Sequence, residues 1–167
     1  MGTEIYELLK KKITTQMPRD QLEQHIAEFL KSHNMCVLAT ASDNVPRASS
    51  IECYSEGTTL YMVGDPGTKV DNIKANPRVS IGIHDPLSEW LSIKGVQITG
   101  QATLISDGTP EYDEAMKIYQ WQNLGKELGW TKPPKGFTII KVEAKRIELV
   151  EIALKQQDYS EHQVWEA

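Results

Sequence analysis

The sequence predicts an α+β protein built around one curved antiparallel β-sheet, with helices before, within and after the strands. Three observations carry that reading. Apolar residues follow a helical spacing up to Asn34 and a strand-like alternation from Met35 onward. Two glycines, Gly95 and Gly100, fall inside the longest strand-like segment, where bulges curl a sheet toward a barrel. The chain has 167 residues, 40% of them apolar before glycine is counted. That length suits one domain, is too short for a two-domain dehydrogenase, and lets roughly 70% of the unfolded surface be buried. Intrinsic disorder is excluded as the main state.

Taken in order, Ile5, Leu8, Leu9 and Ile13 form one helical stripe. Pro18 and Asp20 reset the chain, and Leu22, Ile26, Phe29 and Leu30 form a second stripe. Met35–Ala41 and Pro46–Tyr54 read as strands joined by the turn chemistry of Ser42-Asp43-Asn44. Ser55-Glu56-Gly57-Thr58 leads into a third strand, Thr59–Gly64. Asp65-Pro66-Gly67 breaks it, and Thr68–Ala75 reads as a short helix stopped by Asn76-Pro77. Strands over Arg78–His84 and Trp90–Ile105 follow, then a helical stripe over Pro110–Leu124, a loop over Gly125–Gly136, and strands over Gly136–Val142 and Arg146–Leu154. The expected organisation is N-terminal helices packing on the barrel (1–34), the barrel itself (35–154) and a polar C-terminal tail (155–167).

The formal charge of −5 argues against a nucleic-acid partner, which wants a segregated basic face. No apolar run approaches the length of a membrane-crossing helix and no signal-peptide core is present, so the expected location is cytoplasmic with no membrane partner. Cys36 and Cys53 lie in apolar strand-like stretches and read as buried thiols. His25, His33, His84 and His162 show no metal-ligand spacing.

One segment carries chemistry: Leu60-Tyr61-Met62-Val63-Gly64-Asp65-Pro66-Gly67-Thr68-Lys69-Val70-Asp71. A strand ends in a glycine-containing turn and feeds a helix whose first amides lack intrahelical partners, which is a general anion site. Lys69 in the first turn opposes the positive end of the helix dipole by about 0.3–1 kcal/mol unless an anion binds there, and phosphate is the natural candidate. The competing reading is a capping box, with Thr68 as the cap and Asp71 three residues on.

Beyond that segment, Ala39-Thr40-Ala41, Val45-Pro46-Arg47-Ala48-Ser49-Ser50-Ile51, Asn76-Pro77-Arg78-Val79-Ser80 and Ile98-Thr99-Gly100-Gln101-Ala102 together resemble the FMN-binding split-barrel family, the pyridoxamine 5′-phosphate oxidase-like proteins. The resemblance runs from about Asn34 to Ile105 and more weakly through Phe137–Ile152. It implies a six-stranded antiparallel split β-barrel with flanking helices, and a homodimer with FMN at the subunit interface. It places Thr68 and Lys69 on the FMN phosphate, and Ser49, Ser50 and Ile51 beside the ring and ribityl chain. Met62, Val63 and Gly64 match the neighbouring strand end, and Lys94 and Gln97 match positions near the flavin, with Gln97 on the opposite face of its strand from Lys94. Trp121, Trp130, Tyr159 and Trp165 are candidates to cover the ring.

The implied activity is that of an oxidoreductase in which bound FMN exchanges electrons with a small-molecule donor or acceptor. Relatives that make pyridoxal phosphate hold substrate with an Arg-x-His pair near the C-terminus. Here the last arginine is Arg146 and the tail reads Ser160-Glu161-His162-Gln163, so that particular oxidation is not expected. The alternatives are a non-catalytic flavin-binding or stress-related protein, or a split barrel that binds haem, through His84 or His162, or a deazaflavin.

Overall fold

The computed structural model describes residues 2–167. Helices α1 (Gly2–Lys10) and α2 (Arg19–Lys31) precede strands β1 (Met35–Ser42), β2 (Val45–Glu52), β3 (Tyr54–Glu56) and β4 (Thr59–Gly64). Helix α3 (Thr68–Ala75) connects to β5 (Arg78–His84) and the long β6 (Lys94–Ser106). Helices α4 (Pro110–Ile118) and α5 (Trp121–Leu128) lie between β6 and β7 (Thr138–Glu151), and β8 (His162–Glu166) ends the chain.

All eight strands form one antiparallel sheet in the order β2-β1-β5-β6-β7-β4-β3, with β8 also on β7. Two long strands make this possible. The first half of β7 pairs with β4 (Gly64↔Thr138 to Thr59↔Glu143) and its second half with β8 (Arg146↔Glu166 to Val150↔His162). The β6–β7 register shifts between Thr99 and Gly100. A Cβ on Gly100 would lie 2.7 Å from Val142 Cγ1 and 2.9 Å from the Glu143 carbonyl oxygen, so only glycine lets β6 bend there.

The inner face of the curved sheet holds the main core, including Leu38, Met62, Ile81, Ile98, Val142 and Ile147. Helix α2 closes one end with Leu22, Ile26, Phe29 and Leu30, and α3 adds Val70 and Ile73. Truncating a fully buried residue such as Ile26 to Ala costs about 2–5 kcal/mol. A second cluster (Tyr61, Ile105, Tyr112, Met116, Tyr119, Ile139) lies on the outer face, where α4 packs. Leu60 and Met62 therefore face the inner core while Tyr61 and Val63 face α4, as strand alternation requires.

Three expectations need correction. The sheet has eight strands, not six, because Tyr54–Glu56 separates from β2 and the C-terminal segment forms β8. The segment read as a polar tail is part of the fold: Ile152–Gln157 is a 3-10 helix, and β8 buries Gln163 and Trp165. Its alternation was legible, but flanking charges masked it. The stretch read as one helix over Pro110–Leu124 is two, broken at Gln120, whose φ of 57° is left-handed.

Candidate functional site

The edges of the sheet define the site. Strand β2 ends the strand order, so its second edge has no strand partner among the described residues. On β4, β3 covers only Thr59–Tyr61, so Met62, Val63 and Gly64 pair with β7 on one edge and leave the other free. These two open edges approach each other across the split in the barrel, and α3 starts at one end of it. Backbone N–H and C=O groups along an open edge need a partner.

Helix α3 supplies the anion end. Its N-cap is Gly67 at φ 152°, ψ −173°, with no side-chain cap hydrogen bond, a conformation nearly restricted to glycine. The Val70 and Asp71 amides both donate to the Gly67 carbonyl at 3.0 Å, and Thr68 and Lys69 keep free amides among the described residues. Thr68 is helical and exposed, so the capping box does not form, and Asp71 instead lies 3.6 Å from Lys74. Lys69 is half-buried and has no carboxylate partner among the described residues. Gly64 leaves α3 room, since a Cβ there would sit 3.1 Å from Val70 Cγ2 and 3.0 Å from Ile140 Cδ1. Helix α3 is fixed to β1 by Asn72 Nδ2 donating to Thr40 Oγ1 at 3.1 Å and Asn76 Nδ2 donating to the Ala41 carbonyl at 3.3 Å.

Ser49, Ser50 and Ile51 lie on β2 and Met62, Val63 and Gly64 on β4, two strands in contact, and Thr68 and Lys69 open α3, which follows β4 in the chain. Met62 is fully buried beside Cys36, whose thiol donates to its sulfur at 3.8 Å, so it can offer a ligand only its backbone. Lys94 and Gln97 lie elsewhere, on β6, which β5 and β1 separate from β2 and β7 separates from β4. The Lys94 ammonium is 3.0 Å from Glu151 and 3.3 Å from His25 Nε2 on α2, whereas Gln97 is on the outer face and exposed. Burial alone would raise the Glu151 carboxyl, yet the His25 and Lys94 hydrogen bonds hold it below its ordinary range.

Arg47 is a residue the sequence reading passed over. It pairs with Thr40, the residue that receives the α3 bond from Asn72, and has no ion-pair partner among the described residues. Its position two residues before Ser49 places both on one face of β2, which is the signal that was available. At the far end of β2, the Glu52 carboxylate accepts hydrogen bonds from Tyr54 and Tyr119, each 2.8 Å. Burial and that carboxylate push Tyr54 up to about 12 and raise Tyr119 as well. Glu52 is an odd number of residues from Arg47 and Ser49, so this carboxylate and its two phenols lie on the opposite face of β2, with the outer cluster.

Of the aromatic candidates, Trp165 is buried and donates to Glu23 at 2.9 Å, Tyr159 packs on the main core and Trp121 on the outer cluster. Trp130 is partly exposed. Cys53 is buried in the core, as expected for a structural thiol. Among the described residues no three His, Cys, Asp or Glu side chains gather to hold a metal ion, and no helix is long and apolar enough to cross a membrane.

A curved antiparallel sheet left open between two edges, with a glycine-started helix at the opening, defines the split-barrel class. The sequence profile of the pyridoxamine 5′-phosphate oxidase family matches residues 22–151, and the chain belongs to that family. A Rhizobium meliloti (strain 1021) protein of uncharacterized function is 31% identical over 98 residues, 58% of this chain and 62% of that protein. The chain thus matches less than two thirds of that relative's length.

Solved structures share the fold at low identity. An FAD-binding protein from Mesorhizobium loti aligns at a TM-score of 0.61 and 20% identity, covering 75% of this chain and 90% of its own. General Stress Protein 26 from Bacillus anthracis str. Sterne aligns at 0.59 and 22%, covering 77% and 93%. HutZ, the heme storage protein from Vibrio cholerae, aligns at 0.62 and 16%, covering 78% and 94%. Proteins of this fold thus include flavin-binding and heme-storing members.

Proposed function

We propose that the chain binds FMN in the split between β2 and β4 and acts as a flavin-dependent oxidoreductase on a small-molecule donor or acceptor. The observation that carries this reading is the start of α3: among the described residues the Thr68 and Lys69 amides have no acceptor and the Lys69 cation meets no carboxylate. Such a set fits a phosphate monoester. Arg47, cross-strand from the Thr40 that α3 bonds through Asn72, adds a second cation. The open edges along Ser49–Ile51 and Met62–Gly64 offer backbone groups to the polar rim of the flavin ring.

The bound flavin would supply reversible two-electron transfer. The chain's own residues bind and orient it: Lys69 and Thr68 hold the phosphate, Gly67 allows close approach, and the β2 edge sets the ring against Ile51. Gln97 belongs to the outer face, away from this half-site, and a homodimer placing that face across the split would join the two halves.

The test is a titration of flavin fluorescence with wild-type protein and with Lys69→Ala. Tight quenching by wild type and a loss of about 1.5–3 kcal/mol in the variant, the worth of a charged hydrogen bond, support the reading. Equal affinity in both would remove α3 as the phosphate site.

A further inference from the structure

Three sulfur atoms meet inside the barrel, on side chains that the flavin reading leaves unused. Cys36 on β1 and Met62 on β4 face each other across the interior, with the Cys36 thiol 3.8 Å from the Met62 thioether. Cys53 joins them from the junction of β2 and β3. Cys36 is opposite Ile51, so Cys53, two residues on, shares its face of the sheet. The Cys53 amide donates to the Asn34 carbonyl at 2.9 Å, which holds the junction against the start of β1. The two thiols are in hydrogen-bond contact, which lowers Cys53 and, together with burial, raises Cys36. All three side chains belong to the main core and are buried.

The spacing and the donor atoms decide what such a set can hold. Diagonal neighbours on paired strands lie about 7–8 Å apart at Cα, beyond the span of a disulfide, so Cys36 and Cys53 are not placed to oxidise to one. An ion between them suits the distance better. A sulfur triangle with sides of 3.8 Å has its centre about 2.2 Å from each corner, close to the roughly 2.3 Å of a metal–thiolate bond. Among the described residues no imidazole or carboxylate joins the two thiols, so zinc finds no tetrahedral set and calcium or magnesium no oxygen ligands. Thiolate and thioether together are the ligands of Cu(I).

We propose that Cys36, Cys53 and Met62 form a buried three-sulfur site for a soft monovalent ion, Cu(I), separate from the split and independent of flavin. The ion replaces the Cys53 thiol proton, which leaves to solvent, so one positive charge enters as one departs and the apolar core stays neutral. Cys36 and Met62 complete the triangle through sulfur lone pairs. Because a proton is released, binding tightens as pH rises. The ion enters through local opening at the β2–β3 junction, where β3 is three residues long and ends the strand order.

The experiment is a competition titration of reduced, flavin-free protein against the Cu(I) complex of bathocuproine disulfonate without oxygen, read by loss of that complex's visible colour. Wild type is compared with Cys53→Ala and Met62→Leu. The second exchange conserves volume and removes the sulfur, so the test stands even where the alanine variant folds poorly.

The expected result is one Cu(I) taken per chain by wild type, more tightly at higher pH, with that uptake lost in Cys53→Ala and at least tenfold weaker in Met62→Leu. A wild-type protein that leaves the complex coloured overturns the proposal. So does uptake that survives Cys53→Ala, which would assign the ion to surface groups, and so does equal affinity in Met62→Leu. Retention of FMN is read separately, from the visible spectrum of flavin-loaded protein, so failure of the flavin reading is distinguishable from failure of this one.

Discussion

Two lysines in different regions show how partner accounting separates structural charge from charge held for a ligand. Lys155, in the 3-10 helix after β7, is 3% exposed and fully engaged. Its ammonium donates to the Leu9 carbonyl at 3.1 Å and the Lys11 carbonyl at 2.7 Å, and it meets Glu161 at 3.1 Å. It ties the end of α1 to the barrel, satisfying carbonyls that a helix end leaves free. Lys69 lies in the first turn of α3, where the helix dipole opposes it, and has no ion-pair partner among the described residues. On the proposed function, that cation is held for the phosphate of the ligand.

The largest expected effect tests the structural side of that contrast. Lys155→Met removes a buried ammonium and leaves two carbonyls and Glu161 unmatched. The expected loss is about 3 kcal/mol, read by chemical denaturation, with FMN affinity per folded molecule unchanged. A variant as stable as wild type would mean that the buried lysine does not secure α1. Lys69→Ala should do the reverse, weakening FMN by about 1.5–3 kcal/mol while the flavin-free protein gains about 0.3–1 kcal/mol from relief of the dipole.

Gly67→Ala falls between the two. Its φ of 152° costs an alanine about 1–3 kcal/mol, and since a Cβ there meets nothing within 4 Å the cost is in the backbone. Both stability and FMN affinity should fall. An affinity loss without a stability loss would place the ligand directly against Gly67.

The smallest effect concerns Glu151, whose carboxyl is held below its ordinary value of 4.5. A group lowered in the folded state adds stability that is full above its ordinary value and is lost as pH falls through the folded value. Glu151→Gln should therefore narrow the stability gap to wild type as pH drops below about 4.5. Thermal melts of both proteins between neutral pH and pH 3 check it, and a gap that widens in acid would reverse the assignment.

Much of this was legible in the chain. The β4–Gly67–α3 unit followed from Gly64, the Asp65-Pro66-Gly67 break and the stop at Asn76-Pro77, because glycine and proline act on the backbone locally. The bulge at Gly100 was legible for the same reason. Pairing was not. That β2 and the end of β4 keep open edges depends on which strands meet, and alternation along one strand carries no record of its neighbours. The C-terminal strand was missed because Glu161, His162 and Glu166 lie beside its buried residues, Gln163 and Trp165.

The central claim is that the split between β2 and β4 holds FMN through the start of α3. Its most direct test is the visible absorption spectrum of protein loaded with FMN and stripped of excess, taken for wild type and for Lys69→Ala. The account predicts a flavin spectrum near one FMN per chain in wild type and a clear loss of retained flavin in the variant. A wild-type protein that stays colourless, or a variant that holds FMN as firmly as wild type, would contradict it.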